Sequence, residues 1–446
     1  MTVSFKTFGC RLNRAETAQF EAGFAAAGFV RVPFDAPADI VVLHTCAVTQ
    51  AAEKECLKLL RSLRAKKPDS VVVLAGCAVE VIQPDTLRAL GADLIVPRDQ
   101  KDELVSRVQR HLGVPCVSRP TTVPVRSTKR ASLKIQDGCD FFCSYCIVPH
   151  TRGQPSSRPF DACLHDAQAF IDAGFEEIVV TGCNIACYRD GTHALVGLLT
   201  ALAALPGLGR LRLGSIEPGT VEREVTARMA ANPLFCQFLH LPIQSGDDAV
   251  LARMGRRYRA GEMEETLRDA LQLMPNLGLG ADIITGFPGE SEEAFEQTRA
   301  LLEAFPFSNL HVFPYSERPG TPAATFTPVV PEAERKRRAS ELNRLKARKR
   351  DAFARAFIGK PVQVLVEGID PSGFAHGWTG EYLDCRISGV PATQRSRLIY
   401  CVPHTAEKGT LFACFPSRQP VASATLATGW RARVKRIFRL HPLLIL

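Results

Sequence analysis

Short apolar runs recur along this chain, and three of the earliest end at a cysteine. Residues 3–8, 40–44 and 71–75 are rich in Val, Leu and Phe and lead into Cys10, Cys46 and Cys77, while a fourth run, 93–96, has no cysteine after it. Continuous apolar strands separated by helix-length segments predict a parallel sheet covered on both faces. That arrangement sets each of the three cysteines just past the carboxyl end of its strand, the edge at which open parallel sheets bind ligands. Cysteines far apart in sequence are thereby expected to converge. Cys is also a frequent core residue, so simple burial is the competing reading. Cys56, inside a helical segment beside Leu59 and Leu60, is expected to be packing of that kind.

A doubly wound α/β domain is therefore predicted over 1–115, followed by a connector around 115–130 that holds Pro115, Cys116, Pro120 and Pro124. A second unit, 125–355, carries strand-like runs at 133–136, 177–181, 210–215, 238–243, 280–285 and 309–314. Helical stretches at 160–173, 193–204, 221–231 and 291–305 lie between them. Six such units suit an open, partial (β/α)6 barrel, whose ligands sit at the carboxyl ends of its strands. By that rule Cys139, the Thr181-Gly182 turn, Glu217, Gln244, Ser245 and Gly286 surround one mouth. Glu217, before Pro218, is suited to accept hydrogen bonds from a ribose, the alternative being an exposed loop carboxylate. Gly286-Phe287-Pro288-Gly289-Glu290 allows close backbone approach to a ligand, or simply a tight turn. Gln244 and Ser245 offer neutral contacts for a carboxylate or an adenine edge. His240 and Cys236 are expected in or beside a strand.

Residues 331–357 form a strongly basic helical run opened by Glu332 and Glu334, where the helix dipole favours anions. It is either a solvated face or a phosphate-tracking surface. A third unit, 358–430, returns to strand alternation. The tail, 430–446, alternates Arg and Lys with Val, Ile, Phe and Leu, which suits a strand, an RNA contact or a membrane-surface helix.

The densest chemistry is in Asp137-Gly138-Cys139-Asp140-Phe141-Phe142-Cys143-Ser144-Tyr145-Cys146. Its cysteines have C-x3-C-x2-C spacing on the loop that leaves a strand. Iron–sulfur clusters normally take four thiolates, so three of them leave one iron open to a small molecule. Zinc with His150 as fourth ligand is the competing reading. Cys183 and Cys187, at C-x3-C spacing after another strand, offer a further pair of thiols.

This loop resembles that of radical S-adenosylmethionine (SAM) enzymes. With Ile147-Val148-Pro149 and Arg152-Gly153 after it, it resembles the methylthiotransferase family within that superfamily. Matching blocks include Thr7-Phe8-Gly9-Cys10, Asn13, Glu16-Thr17, Thr45-Cys46, Gly76-Cys77, Ser215-Ile216-Glu217-Pro218 and Gly286-Phe287-Pro288-Gly289-Glu290. The run 358–382 looks like the small β-barrel RNA-binding module called TRAM, although Cys385, the basic insert 394–397 and the tail depart from it. The resemblance implies two 4Fe–4S clusters, one on Cys139, Cys143 and Cys146 that binds and cleaves SAM, and one on Cys10, Cys46 and Cys77 that holds the incoming sulfur. It also implies SAM contacts at Glu217, Gln244, Ser245, Gly286 and Gly289.

The implied partners are a tRNA anticodon stem-loop, an external sulfur donor and an electron donor. The blocks at 7–17 and 313–324 look most like the branch that modifies N6-threonylcarbamoyladenosine at tRNA position 37. Isopentenyladenosine at the same position and an aspartate of a ribosomal protein are the alternatives. A non-catalytic iron–sulfur RNA-binding sensor is the reading from another class, and an open iron argues against it.

Composition fits this picture. The chain is 446 residues long and 46% hydrophobic, enough for two or three cores. Fifteen cysteines with no secretory pattern at the N-terminus point to a cytoplasmic protein with free thiols and metal ligation. No run reaches the length of a membrane span. A formal charge of +9 favours a polyanionic partner.

Overall fold

A computed structural model describes residues 1–116, 129–221 and 223–416. Its first sheet contains β1 (Thr2–Thr7), β2 (Val30–Arg31), β3 (Ile40–Thr45), β4 (Val71–Gly76) and β5 (Leu94–Val96), all parallel, in the order β2-β1-β3-β4-β5. Alternate side chains leave each strand on opposite faces. Ile40 and Val42 pack with Phe20 and Phe24 of helix α1 (Arg11–Ala26), whereas Val41 and Leu43 pack with Leu60 and Leu63 on the other side. Two apolar layers are why these strands are apolar throughout. The edge strand β2 is absent from the sequence reading, because two exposed residues carry no alternation.

The second unit has β6 (Ala131–Lys134), β7 (Glu177–Thr181) and β8 (Arg210–Leu213) in one parallel sheet, and β9 (Phe238–Gln244), β10 (Gly278–Thr285) and β11 (Phe307–Pro314) in another. Bridges Leu211↔Phe235 and Ser215↔His240 join β8 to β9, so six strands curve continuously from β6 to β11. The first and last strands do not pair, and the barrel is open along that side. Leu133, Ile178, Val180, Leu211 and Leu213 face the outer helices in one large core. Their neighbours Ser132, Val179 and Arg212, aligned in register, face inward.

The interior is charged at its base. Glu177 is fully buried and accepts from Arg210 Nε at 2.6 Å and Arg212 Nε at 2.7 Å. The two guanidiniums also donate to the carbonyls of Gln363, Trp378, Thr379 and Gly380. A buried ion triad is tolerable only with its remaining donors satisfied, and here the third unit supplies the acceptors.

That third unit is a curled six-stranded sheet consistent with a small barrel, with β12 (Val362–Ile369), β13 (Phe374–Thr379), β14 (Asp384–Ser388), β15 (Leu398–Cys401), β16 (Pro403–Glu407) and β17 (Thr410–Cys414) in the order β15-β12-β13-β14-β17-β16. Cys385 and Cys401 are inside its core. The helix Glu332–Arg355 packs along β11 and reaches β16 and β17. Much of its positive charge is neutralised: Arg338 pairs with Glu290, Glu292 and Glu334, Arg337 with Glu292, Glu334 and Glu341, and Arg348 with Glu303. Pro120, Pro124, the tail 430–446 and the end of the third unit after 416 lie outside the described residues.

Candidate active site

Cys10, Cys46 and Cys77 stand at the carboxyl ends of β1, β3 and β4, as the sequence predicts. Their loops touch. Gly9 has φ +87°, and a Cβ there would lie 2.6 Å from Cys46 Sγ, so only glycine fits. Asn13, buried in the first turn of α1, donates through Nδ2 to the carbonyls of Phe8 and Thr45 at 2.9 Å each. Its Oδ1 lies 3.7 Å from the Cys10 thiol. Cys46 is close enough to Cys77 and Cys10 to feel both charges; burial first, then those neighbours, push its thiol up to about 11.

The second trio sits on the loop after β6. Gly138 has φ +71°, and a Cβ there would meet the Gln154 carbonyl at 2.0 Å. The Cys139 N–H donates to the Gly153 carbonyl at 3.0 Å, and Ser144 is held by Met254 and Arg253 carbonyls. Cys146 Sγ accepts the Val148 N–H at 3.4 Å. Burial raises the Cys139 thiol and pushes Cys146 up to about 12. Arg256 is the hub that binds this loop to the barrel. Its Nη1 reaches Cys143 Sγ at 3.3 Å and Tyr145 Oη at 3.2 Å, and its Nη2 pairs with Glu217 and the Pro242 carbonyl.

Glu217 is therefore buried beside the cysteine loop and is not an exposed loop carboxylate; burial raises its pKa against the pull of Arg256. Gln244, at the end of β9, is a non-glycine residue at φ +68°, the kind of strain that gathers at functional sites. Ser245 is buried, with its hydroxyl engaged by Thr298 and the Asp247 N–H. The room left by Gly286 and Gly289 is filled by Arg335 and Arg253. His150 is exposed and stacks edge-on against Phe142. Cys183 donates to Asp137 at 3.4 Å. Cys56 and Cys236 are buried and Cys116 is exposed, all as free thiols.

One ion network joins the two trios. Arg152, in the helix after Cys146, donates from Nη2 to Asn13 Oδ1 at 2.6 Å and to Glu16 at 3.0 Å, and from Nη1 to Asp137 at 2.9 Å. Glu16 also meets Lys134 at 2.8 Å, Lys101 at 3.3 Å and His44 at 3.3 Å. Burial alone would raise the Glu16 carboxyl, but the His44 hydrogen bond and the Arg152, Lys101 and Lys134 charges hold it far below the carboxylate range. Sequence reasoning found Asn13, Glu16 and Arg152 only as matched letters and missed Arg256 altogether. Long-range ion pairs leave no periodic signal.

The donor sets fit iron–sulfur clusters better than a single zinc ion. Zn–S bonds of 2.3 Å bring tetrahedral thiolates to about 3.8 Å of one another. Among the described residues neither trio gathers its three sulfurs within 4.8 Å. At least one sulfur pair in each trio is thus spaced more widely than a single zinc requires, and backbone N–H groups of Val48 and Val148 donate to the Cys46 and Cys146 sulfurs.

Comparisons with known proteins agree. The profile of the Radical SAM superfamily matches residues 133–302. In the fold, residues superpose on the radical SAM methyltransferase TsrM of Kitasatospora setae with a TM-score of 0.55 at 14% identity, over 72% of this chain and 77% of that one. Fold and site thus define a radical SAM enzyme, which uses SAM with a 4Fe–4S cluster. The N-terminal unit, residues 2–97, matches uncharacterized protein family UPF0004. A Thermotoga maritima protein named threonylcarbamoyladenosine tRNA methylthiotransferase MtaB is 33% identical over 87% of this chain and 92% of its own length. Its Bacillus subtilis namesake is 32% identical over 87% and 91%. A Cereibacter sphaeroides tRNA-2-methylthio-N(6)-dimethylallyladenosine synthase is 33% identical over 81% and 86%. The chain belongs to the radical SAM methylthiotransferase family.

Proposed function

We propose that this protein converts N6-threonylcarbamoyladenosine at position 37 of tRNA anticodon loops to its 2-methylthio derivative. The observation that carries the reading is the pair of three-cysteine edges, one per unit, bridged by Arg152. Relatives named for this reaction match almost the whole chain. The dimethylallyladenosine relative keeps that substrate as the second reading.

In this proposal Cys139, Cys143 and Cys146 hold one cluster and Cys10, Cys46 and Cys77 the other. SAM lies against Glu217, Gln244 and Ser245, while at Gly286 and Gly289, which the resemblance adds to its contacts, Arg335 and Arg253 stand in the space beside the backbone and would have to give way. When bound, these groups supply one-electron cleavage of SAM, removal of hydrogen from the adenine C2 carbon, and the sulfur and methyl that replace it. The chain's own share is to orient and to exclude water. Arg256 fixes Glu217 against the cysteine loop, so a ribose hydroxyl meets an immobile acceptor. Asn13 and Arg152 set the loops of the two trios relative to each other, and alignment of reacting groups can contribute up to about 7–11 kcal/mol of barrier in well-oriented systems. The units 1–115, 125–355 and 358–430 act together, with the third contacting tRNA. An external sulfur donor and an electron donor complete the cycle, in the cytoplasm. No helix among the described residues is long and apolar enough to cross a membrane.

The test is anaerobic reconstitution with SAM, reductant and a threonylcarbamoylated anticodon stem-loop. Wild-type protein should release 5′-deoxyadenosine and the 2-methylthio nucleoside. Cys143→Ala should release neither, and Cys46→Ala should release 5′-deoxyadenosine without the methylthiolated product. Product from Cys46→Ala at the wild-type rate would sink the division of labour between the trios.

A further inference from the structure

Between α1, the inner face of β6, β7 and β8, and the third unit lies a cavity that no role above uses. It has a volume of about 410 Å³, and its lining includes Arg11 and Arg14 of α1, Lys129 and Arg130 ahead of β6, Arg212 of the barrel wall and Tyr382 of the third unit. All three units contribute to it. Its charge is unbalanced. Arg212 shares Glu177 with Arg210 at the base of the barrel, and Arg130 pairs with Glu367, the carboxylate in the lining, at 2.9 Å. Arg11 donates to the Tyr382 hydroxyl at 2.9 Å and lies over its ring, which leaves its charge uncompensated. Arg14 is exposed, and neither it nor Lys129 has an ion-pair partner among the described residues. Three cations without a carboxylate thus converge on one recess, where low-dielectric walls focus their field on an anion.

Placement narrows the anion. Arg11 and Arg14 are three residues apart, on one face of the first turn of α1, and Arg11 directly follows Cys10. Whatever occupies the recess is therefore a neighbour of the N-terminal trio. An enzyme that takes a nucleotide out of its stack needs a grip on the adjoining backbone. Guanidinium forks match phosphate oxygens in pairs.

We infer that this recess binds a backbone phosphate of the RNA next to the nucleotide being modified, with Arg11, Arg14 and Lys129 as its ligands. This rests on the tRNA reading above. Such a contact positions the RNA and carries no information about the base.

The experiment is equilibrium binding of a labelled anticodon stem-loop to the full chain across a salt series, for wild type, Arg14→Gln, Lys129→Gln and the double variant. Arg14 is exposed and Lys129 half-buried, and neither belongs to the buried network around Glu16. Each should weaken binding several-fold, equally for loops with and without the threonylcarbamoyl group, and each should lower the slope of log K against log salt by about 1. A wild-type complex with one methylphosphonate beside the target adenosine should show the same loss, and Arg14→Gln should add little to it. Unchanged slopes with RNA binding retained would overturn the inference while leaving the tRNA reading in place. A loss confined to the threonylcarbamoylated loop would overturn it too, because the cations would then read the substituent's carboxylate. If the wild-type chain binds no anticodon loop, the tRNA reading itself fails.

Discussion

Glu16→Gln isolates the energy of the network between the two trios. The substitution keeps shape and removes one charge from a side chain only 3% exposed. Its partners are not left equal. Arg152 and Lys134 both keep Asp137, at 2.9 and 2.6 Å. Lys101, 9% exposed, has Glu16 as its only carboxylate among the described ion pairs. Removing one partner of a buried pair costs about 3–5 kcal/mol, mostly as the penalty of the charge left behind. A typical domain has about 5–15 kcal/mol in total, so the N-terminal unit of this variant should be marginal. Hydrogen exchange of the β3 and β4 amides in the full chain reads that unit's opening free energy directly. Glu16→Gln should lower it by about 3 kcal/mol or more, and adding Lys101→Met should recover most of the loss. The deficit should be constant from pH 5.5 to 8. A carboxyl held far below its unfolded value contributes fully above that value, and its stability is lost only as pH falls through the lower, folded one. A single variant within about 1 kcal/mol of wild type, or a double variant no better than the single, would refute the assignment of the cost to Lys101.

Three other outcomes follow from the geometry. Glu290 is 5% exposed, and burial pushes its carboxyl from 4.5 up to about 7. The stability it contributes is therefore complete below its unfolded value and lost as pH rises through about 7. Urea melts should show a decline of up to about 3 kcal/mol between pH 4.5 and 7, and Glu290→Gln should flatten it, since Arg338 keeps Glu292 and Glu334. If each trio holds a cluster as proposed, Gly138→Ala, which forces a Cβ onto the Gln154 carbonyl, should lower iron per chain by about half and leave the absorption of the cluster on the N-terminal trio. Gly9→Ala drives a methyl into Cys46 Sγ and should lose the other half instead; equal loss of both clusters in either variant would show that the trios are not built independently.

The sequence carried the frame of this molecule further than its interior. β7 was readable residue for residue, because Glu177-Ile178-Val179-Val180-Thr181 is β-branched and bounded by turn residues. The three N-terminal cysteines were legible for the same reason: each ends a run whose length the sheet dictates. Arg210-Leu211-Arg212-Leu213 is legible as a strand, but that its polar face is the inside of the barrel is not. Alternation reports two faces but not which one meets water. The ion pairs of the basic helix were hidden for a related reason, since Glu290 and Glu292 beside Arg338 and Glu303 beside Arg348 lie 45 or more positions away. The same holds for Arg256, whose partners Cys143 and Glu217 are joined only by the closed fold.

The most direct test is mass spectrometry of tRNA nucleosides from cells with and without the gene for this protein. Without the gene, 2-methylthio-N6-threonylcarbamoyladenosine should disappear and its unthiolated precursor accumulate, and wild-type but not Cys143→Ala protein should restore it. An unchanged level of that nucleoside, with the 2-methylthio derivative of dimethylallyladenosine lost instead, would contradict it.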